Sequence, residues 1–120
     1  MLPAAARMRH SAEFTLAVRR GSRAGKPLLS GHLLIRPEAE PARVGFIVRR
    51  EVGPAVVRNR VKRRLRHLAR GRLSSLPGGS LLVLRANPRA ATARQEDLAA
   101  ELDLVIAALL RRQDRARYPG

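Results

Sequence analysis

The sequence predicts a single α+β domain in which helices pack mainly on one face of one β-sheet. Helical and strand-like hydrophobic spacing alternates in the coarse order α-β-β-α-β-α along 120 residues. Hydrophobic residues make up 45% of the chain, which is enough for a packed core. No repeat or linker divides the chain, so one domain is expected over residues 1–120, with its core at about 7–113 and a basic tail at 114–120.

The first half of the chain is predicted to contain one helix and two strands. Residues 9–20 have helical spacing, and Ser11 is expected to cap that helix. Residues 28–36 are predicted to form a strand, and residues 43–50 another that is rich in β-branched side chains. A further strand is obtained if the segment 22–36 divides into two.

The second half is predicted to contain a helix, a strand and a last helix. Gly53 and Pro54 interrupt the chain before a helix expected at about 55–71. The nearly continuous apolar run 80–86 is typical of a buried strand. A final amphipathic helix is expected at about 92–113, and the acidic residues near its start suit the positive end of a helix dipole.

The helix at 55–71 is the most informative element of the chain. Its apolar residues recur at i, i+4, i+8 and i+11 and should face the sheet; they are Val57, Val61, Leu65 and Leu68. The remaining surface is cationic, and no Asp or Glu occurs between Glu51 and Glu96. Because like charges one turn apart repel each other, this surface favours a polyanionic partner.

The formal net charge of +16 makes nucleic acid the leading class of partner. A small ribosomal protein would share this charge. An anionic membrane surface is disfavoured, because the basic helix has no broad apolar face with Trp or Phe. With no Cys in the chain, disulfides and thiolate metal sites are excluded, and a cytoplasmic location is expected.

No protein active site is predicted. His10, His32 and His67 are scattered, and no two of them have metal-ligand spacing with a carboxylate nearby. No serine lies in a nucleophile elbow and no glycine-rich run forms a phosphate loop. The chain is therefore expected to hold no catalytic residue, cofactor or small-molecule substrate of its own.

Three consecutive pieces of the chain resemble the protein subunit of bacterial ribonuclease P. They are the strand Arg43-Val44-Gly45-Phe46-Ile47-Val48, the turn Gly53-Pro54-Ala55-Val56-Val57, and the helix start Arg58-Asn59-Arg60-Val61-Lys62-Arg63. The resemblance covers roughly residues 7–110. It implies the order α-β-β-β-α-β-α, a sheet of about four strands, and a βαβ crossover of the unusual left hand.

The resemblance also implies a function. The catalyst would be the partner ribonuclease P RNA, which removes the 5′ leader of precursor tRNA with Mg²⁺ bound mainly by the RNA. The protein would be a subunit of this endoribonuclease and would hold the single-stranded leader in a cleft between its first helix and the sheet. Neither a membrane nor a small molecule is an expected partner.

Individual residues take roles from this resemblance. The RNA-binding residues would be Arg58, Asn59, Arg60, Lys62, Arg63 and Arg66, and Arg70 continues their face of the helix. The leader cleft would contain Phe14, Val18, Arg50 and Arg85. Two of these residues could instead have a purely structural role. Asn59 could cap an irregular helix start, and Phe14 could be a core residue. Val18 replaces a common second aromatic and Glu51 a basic residue.

Overall fold

A computed structural model describes residues 2, 6–8, 10–37 and 40–117, the last four of them as backbone alone. The helices of this part are α1 (Ser11–Arg20), α2 (Ala55–Arg70) and α3 (Gln95–Arg117). Its strands are β1 (Ser22–Gly25), β2 (Leu29–Ile35), β3 (Arg43–Ile47) and β4 (Ser80–Ala86). The order α-β-β-β-α-β-α confirms the one that the resemblance implies, including the division of residues 22–36 into two strands.

The four strands form one mixed sheet in the order β1-β2-β4-β3, with β3 and β4 parallel and the other pairs antiparallel. Side chains of β4 alternate between two apolar clusters. Leu82 and Leu84 pack with α2 and α3 on one face, whereas Leu81 and Val83 pack with α1 on the other. Two of the three helices thus share a face, as predicted. The left hand of the β3-α2-β4 crossover stays a prediction.

Strand β3 and helix α3 are each three residues shorter at one end than predicted. Strand β3 ends at Ile47 rather than at residue 50, because its parallel pairing with β4 ends there and the chain turns through a 3-10 segment, Arg50–Val52. Helix α3 begins at Gln95 rather than at residue 92, because Pro88–Thr92 forms another 3-10 turn, in which Ala90 is fully buried. In both places a local turn replaces one end of a regular element.

The prediction that Ser11 caps α1 is wrong. The residue at the N-cap is His10, whose extended backbone lets its carbonyl accept a bond from the Glu13 N–H at 3.0 Å, and its side chain makes no capping bond. Ser11 is already the first helical residue. The helix therefore relies on its packing against the sheet rather than on a side-chain cap.

Helix α1 is fixed to the sheet by an ion-pair network at one end of its inner face. The Glu13 carboxylate lies 2.9 Å from a guanidinium nitrogen of Arg43 at the start of β3 and 3.9 Å from one of Arg36 after β2. Glu40 also contacts both arginines, at 3.5 and 3.2 Å. The network orients α1 across the sheet.

Helix α3 extends past its predicted end because its last turns are bound to the sheet. The Gln113 side-chain amide donates to the Leu33 carbonyl at 2.6 Å and to the Ser22 hydroxyl at 3.1 Å. Earlier in the same helix, the Glu101 carboxylate accepts a bond from the Leu28 N–H at 2.9 Å. Of the predicted basic tail, the backbone of 114–117 is helical, and the rest lies outside the described residues.

Candidate nucleic-acid interface

The apolar arc of α2 faces the sheet, as its spacing predicts. Val61 and Leu65 are fully buried, Leu68 is 7% exposed, and Val57 packs at the edge of the same core. Burying one such side chain stabilises the fold by about 1.5–3 kcal/mol. These contacts fix the rotation of the helix and so determine which of its residues reach solvent.

The outer surface of α2, here called the basic face, contains all the residues assigned to RNA binding: Arg58, Asn59, Arg60, Lys62, Arg63, Arg66 and Arg70. Asn59, Arg60, Arg63 and Arg70 are exposed, and the other three are half-buried. None of them takes part in an ion pair within the described part of the chain. The basic face is therefore uncompensated, as a surface that binds phosphates requires.

Arg64 is an exception among the arginines of α2. The sequence places it on a flank of the cationic surface, but its guanidinium donates to the Ala93 carbonyl at 2.6 Å and to the Gln95 side-chain oxygen at 2.8 Å. Arg64 therefore joins α2 to the start of α3, and its hydrogen-bonding capacity is partly used within the fold. Helical spacing alone could not distinguish it from Arg60 or Arg63.

The residues assigned to the leader cleft lie on the face of the sheet that α1 partly covers. Phe14 is half-buried and contacts the bare backbone of Gly45, since a Cβ at Gly45 would collide with the ring. Val18, one turn along α1, is exposed. Arg85 alternates with Leu84 along β4 and so points to the α1 side. Phe14 and Arg85 thus share one face of the sheet.

Arg50 does not end a strand, as the sequence suggests, but begins the 3-10 turn after β3 and is exposed. The next residue, Glu51, pairs with Arg85 at 3.2 Å. Both side chains of this pair are well exposed, so it adds at most about 1 kcal/mol to stability. Glu51 therefore brings the turn beside Arg85 and lowers the local positive charge at that edge.

Two further residues belong to this face and were missed by the sequence reading. His32 lies opposite both Arg23 of β1 and Val83 of β4, and directly opposed residues point to the same side of a sheet. Beyond them, a hollow of about 450 Å³ is lined by Arg23, Gly25, Lys26, Pro27, Ser30, Arg85 and Asn87. Side chains alternate between the two faces along a strand, so this alternation could have placed Arg23 and His32 on the α1 side of the sheet. The prediction would also have required the register between β1 and β2.

The surroundings of His32 favour the neutral form of its imidazole. Burial, and then the guanidinium groups of Arg23 and Arg85, lower the pKa of His32 below its ordinary value of 6.5. Its Nδ1 atom is buried and has no hydrogen-bond partner among the described residues. A neutral imidazole on a cationic surface offers an acceptor or a stacking surface without adding charge.

This shift predicts a pH dependence of stability. Because the folded pKa of His32 is the lower one, the unfolded chain binds more protons as the pH falls below 6.5. The contribution of neutral His32 to the free energy of unfolding is therefore complete above pH 6.5. It is lost as the pH falls toward the pKa that His32 has in the folded protein. In urea unfolding at a series of pH values, His32→Gln should lose less stability than the wild type on acidification. Equal losses would contradict this placement of His32.

Neither a cluster of metal-binding side chains nor a membrane-spanning helix occurs in the described part of the chain. No group of three or more His, Asp or Glu side chains there is arranged to hold a metal ion. No helix there is long and apolar enough to cross a membrane.

Known proteins resemble this chain over nearly its whole length. The family model described as Ribonuclease P matches residues 2–110. The ribonuclease P protein component of Nocardioides sp. is 58% identical over 105 residues, covering 86% of this chain and 90% of the relative. That of Streptomyces bikiniensis is 51% identical over 118 residues, covering 92% and 96%.

Solved structures with little sequence identity share the fold. The ribonuclease P protein of Staphylococcus aureus superposes with a TM-score of 0.77 at 21% identity, covering 87% of this chain and 94% of that one. That of Thermotoga maritima gives 0.72 at 21% identity, covering 88% and 96%. The overall fold is therefore common to these proteins and this chain.

Proposed function

Because this chain belongs to the ribonuclease P family and is thus the protein subunit of that endoribonuclease, we propose that its two cationic surfaces bind two different RNA ligands. The basic face of α2 would bind the catalytic ribonuclease P RNA. The α1 side of the sheet would bind the 5′ leader of precursor tRNA. Since precursor tRNA would be its substrate, we place the protein in the cytoplasm.

RNA binding is supported best by one observation: the basic face contains no Asp or Glu side chain. Each phosphate neutralised by Lys or Arg releases condensed counterions, which favours binding and makes the affinity depend steeply on salt. A row of arginines also suits phosphate oxygens geometrically, because each guanidinium can donate two parallel bonds. The exposed amide of Asn59 can donate and accept at once, and so suits a ribose hydroxyl within the same surface.

The proposed leader site is supported by its shape and composition. Phe14 presents an aromatic ring on which a base can stack, an interaction worth about 1–3 kcal/mol per base. Arg85 and Arg50 lie at the edge of this face and can contact phosphates. Val18 offers no ring, so within α1 stacking would be limited to Phe14. This mixture suits a single strand bound with little sequence preference.

In the proposed division of labour, the protein provides positioning and the RNA provides the chemistry. We place Mg²⁺ mainly on the RNA, because this cation prefers oxygen ligands such as those of phosphates. Bound Mg²⁺ would supply electrophilic stabilisation at the scissile phosphate. The arginines of the chain would reduce repulsion between two polyanions and hold the leader in place.

Reconstitution tests this proposal directly. The full chain should be combined with the cognate ribonuclease P RNA and a radiolabelled precursor tRNA at low Mg²⁺, where repulsion between the RNAs is least screened. We expect the protein to raise the rate of 5′ cleavage and to strengthen binding of precursors with longer leaders. No gain in cleavage at any Mg²⁺ concentration would reject the proposed function and favour another RNA, such as ribosomal RNA, as the ligand.

A further inference from the structure

A second concave site lies beside α2, on the side of the N-terminal segment. It has a volume of about 490 Å³ and is lined by Arg7, Asn59, Lys62, Arg63, Arg66 and His67. Five of these side chains come from successive turns of α2, whereas Arg7 comes from a distant part of the sequence. No carboxylate of the described residues lines the hollow, and its lining carries four formal positive charges. We call this site the Arg7 hollow.

Arg7 is held in place by the edge of the sheet. Its backbone forms a parallel bridge with Val44 of β3, and the Met8 N–H donates to the Val44 carbonyl at 3.0 Å. Met8 itself is buried against the α1 side of the sheet. The bridge at Arg7 and the hydrogen bond at Met8 hold this segment against β3. The side chain of Arg7 lines the hollow opposite the residues of α2.

Two of the arginines that line the hollow have a hydrogen-bond donor without an acceptor. The Nε atoms of Arg7 and Arg66 are both buried, and neither has a hydrogen-bond partner among the described residues. Leaving a buried polar group unsatisfied costs about 1–3 kcal/mol, and more if the group is charged. Two such donors beside Lys62 and Arg63 create a strong preference for an anion with several acceptor oxygens.

We propose that the Arg7 hollow binds two neighbouring phosphates of an RNA strand, with Arg7 completing a site that α2 begins. Four cations exceed the charge of one phosphodiester, and the volume exceeds that of one phosphate group. Asn59 in the wall is placed to bond the ribose between the phosphates. The proposal rests on the proposed function in one respect only, namely that the strand belongs to the catalytic RNA.

The first experiment uses the free protein and inorganic pyrophosphate, which carries two linked phosphates. Pyrophosphate should be titrated into the wild type and into Arg7→Ala, with binding followed by the NMR signals of the α2 backbone. The control is Arg111→Ala, which removes the same charge from an exposed site on α3 that does not line the hollow. We expect Arg7→Ala to weaken binding about tenfold or more, since a charge-assisted bond is lost, and Arg111→Ala to have little effect.

Arg7→Lys separates loss of contact from loss of fold. It keeps the charge but not the planar fork, so its affinity should lie between those of the wild type and Arg7→Ala. Thermal unfolding without anion should give similar midpoints for all variants. An equal loss of pyrophosphate affinity in Arg7→Ala and Arg111→Ala would overturn the proposal, since only net charge would then matter.

The second experiment measures affinity for the catalytic RNA across a range of salt concentrations. In a plot of log affinity against log salt, Arg7→Ala should reduce the slope by about one, corresponding to one lost phosphate contact, and Arg111→Ala should not. Pyrophosphate binding that depends on Arg7, combined with an unchanged RNA slope, would overturn the assignment to RNA. If the wild type did not bind catalytic RNA at all, the proposed function would fail, while the pyrophosphate experiment would still decide whether the hollow binds phosphates.

Discussion

Replacing Arg58 and Arg60 together by alanine should weaken binding of the catalytic RNA by about two orders of magnitude. Each guanidinium of the basic face is expected to make a charge-assisted contact with phosphate, and losing such a contact costs about tenfold or more in affinity. The slope of log affinity against log salt should also fall by about two. Filter binding at several salt concentrations measures both quantities.

The matched control for this variant is the double replacement Arg111→Ala and Arg112→Ala. Both arginines are exposed on α3, and removing them changes the net charge by the same amount. The control should retain most of the affinity and nearly the full salt slope. If both double variants lost affinity equally, or if the Arg58/Arg60 variant kept its slope, the basic face would not be the contact surface.

Gly45→Ala should disrupt the proposed leader site while leaving the basic face intact. A Cβ at this position would collide with the ring of Phe14 and stand 2.9 Å from the Met8 sulfur, so α1 or the ring must move. Such overpacking lowers the free energy of unfolding by about 1–3 kcal/mol. In the reconstituted enzyme, we expect the gain in affinity from a longer leader to be largely lost, with the affinity for the catalytic RNA little changed.

Gly78→Ala is the matched control, since its Cβ would meet nothing closer than the Glu40 carbonyl oxygen at 3.5 Å, an ordinary contact. It makes the same chemical change just before β4, outside the residues assigned to the leader site, and should preserve the effect of leader length. Unaltered leader dependence in Gly45→Ala, at a temperature where the variant is folded, would remove Phe14 from the leader site. A parallel loss of affinity for the catalytic RNA would indicate that the two surfaces are not independent.

Much of the candidate interface was predictable because it depends on a single helix. The apolar spacing of α2 defines its buried arc, and the residues outside that arc form the basic face. The buried arc consists of Val57, Val61, Leu65 and Leu68. Local geometry suffices here, since residues three and four apart in a helix share a side whatever surrounds it. The resemblance added the third strand and the expected role of Phe14.

The parts that were not predictable depend on contacts between distant segments. The contact of Arg64 with Ala93 and Gln95 joins residues about thirty positions apart. The position of His32 beside Arg23 and Arg85 follows from strand register. Register depends on which strands pair and in what alignment, and a single sequence with a short, weak β1 does not specify either.

The sequence by itself determined the class of partner, the position of α2 and the residues that α2 exposes, because charge composition and helical periodicity are local properties. Only the tertiary structure decided which of those cations are free to bind RNA. It placed α1 on the second face, paired Glu51 with Arg85, and used Arg64 within the fold. It also brought Arg7 to α2, because a backbone bridge to β3 fixes a segment about fifty residues away in sequence beside that helix.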